Sequence, residues 1–229
     1  MHRNIGTVVG SVCWILTLQW FVVQAITQAA WTTPYSLGGN SLSDLGAVHC
    51  FSAPVSRLNP ISSNVCSPLH SLMNASFIVF GLLVVGGVIL LWNQWPRRRT
   101  VTAGLVLLAL FGAGKVVIGL APEDVRLGLH ALGTLGMLCG DVGALLLAVG
   151  MWREARWQAV VFLCIGIVGV PAFFLQVLPQ LAAVHGALER LADWPLPVWI
   201  AALGVLRLAD RWWQRTTPPV AGERPPPDL

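Results

Sequence analysis

Charged side chains are scarce in this sequence. Asp, Glu, Lys and Arg make up 10% of the 229 residues, while hydrophobic residues make up 55%. A soluble domain of this length carries about 25% charged residues. The shortage excludes a water-soluble globular domain, because lipid must replace water around most of the surface. The formal charge of +4 does not indicate nucleic-acid binding, since the basic residues lie at membrane edges, where orientation explains them.

Apolar stretches long enough to cross a bilayer, by contrast, occur six times. Each has about 17 to 25 residues, which suffices for a hydrocarbon core of about 30 Å. Backbone polar groups in lipid must bond to one another, so such stretches form helices. We therefore predict an all-α, polytopic membrane protein, a six-transmembrane-helix bundle, with spans at residues 5–29, 69–92, 101–121, 127–151, 157–178 and 195–212.

Arginines fall almost entirely on one side of these spans. Positive charge in short loops marks the cytoplasmic side, so we predict that both termini are cytoplasmic and that the protein lies in the cytoplasmic membrane. The one long loop, residues 30–68, is then extracytoplasmic. The arginines of the predicted inner side are Arg3, Arg97, Arg98, Arg99, Arg153, Arg156, Arg207, Arg211, Arg215 and Arg224, and those of the outer side are Arg57, Arg126 and Arg190.

One domain accounts for nearly the whole chain. We predict a transmembrane domain over residues 1–215 and a disordered, proline-rich cytoplasmic tail over residues 216–229, which has almost nothing apolar to bury. The first span is predicted to be an uncleaved anchor, because its apolar run exceeds the signal-peptide core of about 7 to 15 residues. A cleaved signal peptide is the alternative.

No CxxC pair occurs among the five cysteines, which leaves a thioredoxin-like or zinc-ribbon role without support. Cys50 and Cys66 both lie in the predicted outer loop, where disulfides persist. A bridge between them would close a loop of about 15 residues and stabilise the fold by about 3 kcal/mol in the chain-entropy model. We predict this disulfide, and two unpaired thiols are the alternative.

Ionisable residues concentrate in the predicted outer half of the bundle. Charged groups inside a membrane face the bundle interior or a wet cavity, and by default they indicate function. The candidate catalytic residues are Asp44, His130, Asp141 and Lys115.

Lys115 and Asp141 are the charged candidates that lie within spans, and both need partners. Lys115 is expected to extend outward toward Glu123 or Asp124. Asp141 lies deeper, near the middle of its span, and is expected to bond Gln19 or Gln24 or to carry a proton.

Three histidines share similar local sequences near the outer ends of spans: His70 in LHSL, His130 in LHAL and His185 in VHGAL. Three imidazoles and a water suit zinc, so zinc or another divalent metal is the candidate cofactor. No HExxH pattern strengthens this hypothesis. The simpler interpretation is that each histidine caps a helix or snorkels at the membrane interface.

Four stretches of the sequence carry a family resemblance. They are YSLGGNSLSDLG (residues 35–46), PLHSLMNASFIVFG (68–81), GLAPEDVRLGLHALG (119–133) and HGALERLADWPLPVW (185–199). They resemble the bacterial and archaeal membrane family called domain of unknown function 998 (DUF998). The resemblance implies a six-helix membrane fold and brings no activity. It also implies one motif set, which comprises Ser43, Asp44, Asn74, Pro122, Asp124, His130, Glu189 and Arg190.

Two functional hypotheses lead, and a transporter and a protein with a single haem are weaker alternatives. The first is a membrane-embedded hydrolase or transferase that acts on a lipid-like substrate, because titratable groups lie beside an apolar bundle. The second is a non-enzymatic accessory or assembly subunit, or a module that binds a hydrophobic ligand. The lipid bilayer is the expected partner, together with a lipid-like substrate or another membrane protein. The candidate substrate-binding residues are Ser43, Asn74, Arg126, Glu189 and Arg190.

Overall fold

The computed structural model describes residues 2–52 and 64–216, with side chains for residues 5–51 and 64–210. Arg57 and residues 217–229 of the predicted tail lie outside the described residues. Six helical segments are long and apolar enough to cross a membrane, which confirms the predicted all-α, six-helix fold class. The helices are α1 (His2–Leu16), α2 (Gln19–Ala29), α3 (His70–Leu91), α4 (Arg99–Leu120), α5 (Leu127–Met151), α6 (Arg156–Leu175), α7 (His185–Asp193) and α8 (Pro195–Thr216).

α1 and α2 together form the first membrane-length segment, Ile5–Ala29. The hydroxyl of Thr17 donates to the carbonyl oxygen of Trp14 at 2.6 Å. The backbone N–H of Trp20 then bonds to the carbonyl oxygen of Thr17 at 3.1 Å, three residues back. Such a tightened turn is typical where a threonine hydroxyl competes for helix carbonyls. The predicted single helix is therefore two helices in series.

Glycine contacts bring α3, α4 and α5 close together. A Cβ atom on Gly81 of α3 would lie 2.2 Å from the carbonyl oxygen of Gly112 in α4. A Cβ atom on Gly114 of α4 would lie 2.4 Å from the carbonyl oxygen of Gly133 in α5. Small residues let membrane helices pack backbone against backbone in this way.

The sixth span is longer and less regular than predicted. After α6, a 3₁₀ helix covers Pro179–Val184, and α7 follows before α8 begins at Pro195. Proline suits the first position of a helix, because its missing N–H would have no partner there. The predicted sixth span, residues 195–212, leaves α7 outside, and Glu189, Arg190 and Asp193 of α7 are all buried.

Contacts between connecting segments define two ends of the bundle. At one end, residues 30–52 and 64–69 lie against the starts of α5 and α7, where Ser43 contacts His130 and Arg190 contacts Asn40. We call this the loop end. At the other, Arg98 before α4 donates to Glu154 before α6 at 2.6 Å. We call this the arginine end.

A short strand pair closes part of the loop. β1 (Phe51–Ser52) and β2 (Asn64–Val65) are antiparallel, with Phe51 opposite Val65. Cys50 and Cys66 flank this pair and are joined by a disulfide bond. The bridge fixes both strands at the loop end.

Candidate functional site

Residues 40–47 are buried at the loop end, except for the half-buried Ser43, although they belong to a long connection. Leu42 and Leu45 are 1% and 0% exposed and join the hydrophobic core. A 3₁₀ turn over Ser43–Gly46 lies between the helices. Buried backbone N–H and C=O groups must be paired, because leaving them unpaired away from water is costly. The segment therefore needs hydrogen-bond partners within the fold.

Asp44 supplies several of these hydrogen bonds. Its Oδ2 atom accepts from the side-chain amide of Asn40 and from the backbone N–H of Ser41, both at 3.0 Å. The hydroxyl of Ser41 in turn accepts from the backbone N–H of Asp44 at 2.9 Å. Side chains that bond to nearby backbone groups fix the local conformation of a loop. The structure thus turns the Asp44 carboxylate toward its own loop.

Asp44 and Glu123 form a pair of buried carboxyl groups. They are 0% and 6% exposed, and they lie close enough for their charges to interact. Burial raises the pKa of Glu123 well above its ordinary value, and the negative charges of Asp44 and Glu189 raise it further. The sequence analysis did not select Glu123, because this long-range contact leaves no local signal.

The side chains of Ser43 and His130 are hydrogen-bonded to each other at the loop end. The Ser43 hydroxyl lies 2.8 Å from Nε2 of His130, and Nδ1 of the same ring lies 2.9 Å from the carbonyl oxygen of Ala121. A carbonyl only accepts, so Nδ1 carries the hydrogen and Nε2 accepts from Ser43 in the neutral ring. A hydroxyl that donates to an oriented imidazole is an activated nucleophile with its base.

A small polar cavity lies beside Ser43 and His130. Its volume is about 50 Å³, which is room for a few water molecules. His185 lines it from α7, and Nδ1 of this ring donates to the carbonyl oxygen of Gln176 at 2.8 Å. The side-chain Nε2 of Gln176 is buried and has no hydrogen-bond partner among the described residues. The cavity therefore offers an amide donor that no described side chain uses.

Glu189 and Arg190 of α7 hold the buried loop segment in place. Oε2 of Glu189 accepts the backbone N–H of Leu42 at 2.6 Å. Nη1 of Arg190 donates to the carbonyl oxygen of Asn40 at 2.8 Å, and Nη2 donates to the hydroxyl of Tyr35. Substrate binding by either residue, as the sequence predicts, would have to compete with these contacts.

Asn74 and Asp124 bind the backbone of residues 46–49, which follow the buried segment of the loop. The side-chain amide of Asn74 donates to the carbonyl oxygen of Gly46 at 2.9 Å. The Asp124 carboxylate accepts the backbone N–H groups of Val48 and His49 at 3.1 and 2.8 Å. Burial opposes ionisation of Asp124, but the hydrogen bonds from His49 and Val48 outweigh it and lower the pKa. Asn74 thus contacts the loop and does not line the cavity.

Lys115 pairs with Asp193 of α7, so the expectation that it reaches Glu123 or Asp124 was wrong. Its ammonium group donates to the Asp193 carboxylate, and the two residues are 2% and 0% exposed. Nζ also lies 4.8 Å from the ring centre of Trp20. The sequence analysis missed Asp193 because it placed α7 outside the span.

Asp141 does not bond Gln19 or Gln24, which was one of the two alternatives expected for it; the other was a bound proton. Both glutamines bond to other groups, and neither carboxylate oxygen of Asp141 has a hydrogen-bond partner among the described residues. The side chain is 0% exposed and lies against Gly169 of α6. Lys115 and Asp141, both predicted to be catalytic, do not line the cavity.

The three histidines of the metal hypothesis are not brought together. Nδ1 of His70 lies 3.0 Å from the carbonyl oxygen of Ser67, away from the cavity that His130 and His185 share. Within residues 2–52 and 64–216, no group of three His, Cys, Asp or Glu side chains could hold a metal ion. Arg126, predicted to bind substrate, is exposed at the start of α5 and does not line the cavity.

The fold and this cluster define a multi-pass membrane protein with a polar cavity at one end of a six-span bundle. The model of the family described as "Protein of unknown function (DUF998)" matches residues 15–206. The chain therefore belongs to the DUF998 family, as its motifs predicted. No curated protein and no solved structure matches it significantly.

Proposed function

We propose that this protein is a membrane-embedded hydrolase or transferase that cleaves an acyl bond of a lipid-like substrate at the loop end. One observation carries the proposal: Ser43 donates to Nε2 of His130 at 2.8 Å, while the Ala121 carbonyl holds Nδ1. A serine nucleophile and a histidine base at this separation are the pair that acyl transfer requires.

The chemistry follows from the positions of these atoms. Oγ of Ser43 attacks the substrate carbonyl carbon, and its proton moves to Nε2 of His130. His130 then donates that proton to the leaving alcohol as the acyl–Ser43 ester forms. Water, or a second alcohol in a transferase, attacks this ester by the reverse proton path. Nε2 of Gln176 donates to the carbonyl oxygen as negative charge develops on it.

A lipid-like substrate fits the surroundings of the cavity. Val177 lines the cavity and is also 54% exposed at the end of α6. In a bilayer that exposed side faces lipid or the interface. Because the cavity holds only a few water molecules, an acyl group has to displace side chains such as Val177 to reach Ser43.

Charge distribution supports an extracytoplasmic location for this chemistry. Arginines cluster at the arginine end, and positive charge marks the cytoplasmic side. Both termini would then be cytoplasmic and the loop end would face outward. The Cys50–Cys66 bond at the loop end agrees with this orientation, because disulfides persist in oxidising compartments.

Ester turnover by purified protein in nanodiscs tests the proposal. We expect Ser43→Ala to lose at least about 10³-fold in kcat, because a triad enzyme without its nucleophile keeps only binding and oxyanion effects. Ser71→Ala is the matched control, since Ser71 is exposed in the first turn of α3 at the same end. Turnover by Ser43→Ala at the parent rate would contradict the proposal.

A non-enzymatic assembly module is the second candidate. Glu189 and Arg190 bind the loop backbone, and the cavity is only about 50 Å³, which favours a rigid docking surface. This alternative predicts no ester turnover by the parent protein and a loop end that binds another membrane protein. Parent turnover that depends on Ser43 excludes it.

A further inference from the structure

A second and larger cavity lies at the arginine end. Its volume is about 630 Å³, and it is formed where α3 passes through a short 3₁₀ helix and a turn into α4. It is separate from the polar cavity at the loop end, with which it shares no lining residue. A volume of this size accommodates a small-molecule group.

Positive charge dominates the polar lining of this cavity. Arg97, Arg98 and Arg99 all contribute to it and are exposed. Arg98 is partly neutralised by Glu154, at 2.6 Å. No ion pair with a described residue involves Arg97 or Arg99. Two guanidinium groups are thus available for an anion, and guanidinium forks match the geometry of phosphate oxygens.

The first turn of α4 adds backbone donors. Arg98 precedes the helix in an extended conformation, and no side chain caps the helix start. Arg99, the first residue of the helix, lines the cavity, and its N–H group has no acceptor within the helix. The N–H group of Thr102, which also lines the cavity, is already bonded to the carbonyl oxygen of Arg98 at 2.9 Å. Uncapped N–H groups at the start of a 22-residue helix favour an anion.

Apolar surface continues from the cavity along α4. Ala103, Val106 and Leu110 follow steps of three and four, so they share one helix face. Val106 and Leu110 are 46% and 48% exposed. Trp92 also lines the cavity and is 39% exposed, and indole rings favour the membrane interface. A phosphate group with attached acyl chains matches this combination of charge and apolar surface.

We propose that this cavity binds the headgroup of an anionic phospholipid, with the phosphate held by Arg97, Arg99 and the start of α4, and the acyl chains lying along α4. Basic pockets between transmembrane helices are suited to such headgroups. The assignment does not depend on the chemistry at the loop end.

Thermal unfolding of delipidated protein in neutral detergent tests the assignment, with phosphatidylglycerol, phosphatidylcholine or inorganic phosphate added. We expect phosphatidylglycerol to raise the parent Tm by about 5 °C or more near saturation, and the other two to raise it little. R97Q/R99Q should keep the parent Tm without lipid, because both side chains are exposed, and should lose the shift. R97K/R99K, which keeps both charges, should retain part of it.

R153Q/R156Q is the matched control. It removes the same charge at the turn before α6, and neither residue lines the cavity. We expect this variant to keep the full shift. Equal loss in both double variants, or equal shifts with phosphatidylcholine, would overturn the site. An equal shift with inorganic phosphate would show that a free anion is bound, which overturns the lipid assignment.

Discussion

The carboxyl group of Asp141 on α5 occupies the space that a side chain at Gly169 of α6 would fill. A Cβ atom on Gly169 would lie 2.2 Å from Oδ1 and 2.3 Å from Cγ of Asp141. The carboxyl is fully buried, and no described residue donates a hydrogen bond to it. Close approach of α5 and α6 therefore depends on this glycine.

Gly169→Ala should lower the free energy of unfolding by about 1–3 kcal/mol, because it overpacks a filled site. In an Asp141→Ala background the same substitution should cost little, since the carboxyl no longer fills the space. Denaturant unfolding in detergent measures both. Gly128→Ala is the control, because a Cβ atom there meets nothing within 4 Å. Additive effects of the two substitutions would contradict the contact.

Removing only one charge of the Lys115–Asp193 pair should lower the free energy of unfolding substantially. Lys115→Met leaves the Asp193 charge buried without its cation and should cost about 3–5 kcal/mol. K115M/D193L removes both charges and should cost less than Lys115→Met alone. Arg98→Gln, in the exposed pair with Glu154, is the comparison and should cost at most about 1 kcal/mol. A double variant that unfolds more easily than either single variant would argue against this pairing.

Glu123 should make stability fall as pH rises. Above its ordinary pKa of about 4.3 the unfolded chain releases this proton, while the folded protein keeps it because burial and Asp44 raise the pKa. The free energy of unfolding then decreases with pH. Glu123→Gln should flatten the decline of Tm as the pH rises above the ordinary pKa of a glutamate. Asp124→Asn should leave that decline in place, because the lowered pKa of Asp124 acts in the opposite direction.

Orientation and the disulfide can be tested together in intact spheroplasts. A membrane-impermeant maleimide should label the protein only after reduction, because Cys50 and Cys66 are bonded and we place them on the outside. Cys50→Ser should be labelled without reduction, at Cys66. Labelling of Cys50→Ser only after lysis would place the loop end in the cytoplasm.

The spans could be predicted from sequence because each depends on a local property, the length of an apolar run. The same reasoning failed at α7, where nine residues with several charges resemble a surface segment. Their charges are tolerated in the interior because each has a partner. Lys115 donates to Asp193, the backbone N–H of Leu42 donates to Glu189, and Arg190 donates to the carbonyl oxygen of Asn40. These partners lie far away in sequence, so no local pattern reveals them.

Only part of the candidate site could be predicted, because its contacts also join residues that are far apart in sequence. The motifs selected Ser43 and His130 separately, but only the fold shows that the two side chains are bonded. Gln176 carried no signal, because a single glutamine at the end of an apolar helix is unremarkable in sequence. Local histidine strings suggested three equivalent rings, whereas the structure places His70 apart from His130 and His185.

Covalent labelling of Ser43 tests the central claim most directly. A fluorophosphonate probe reacts with serines whose hydroxyl is activated by a base, and peptide mass spectrometry locates the adduct. The account predicts an adduct on Ser43 in the parent protein, its loss in His130→Gln, and its retention in His70→Gln. Absence of label on Ser43 in the folded parent protein, or equal labelling in His130→Gln, would contradict the account.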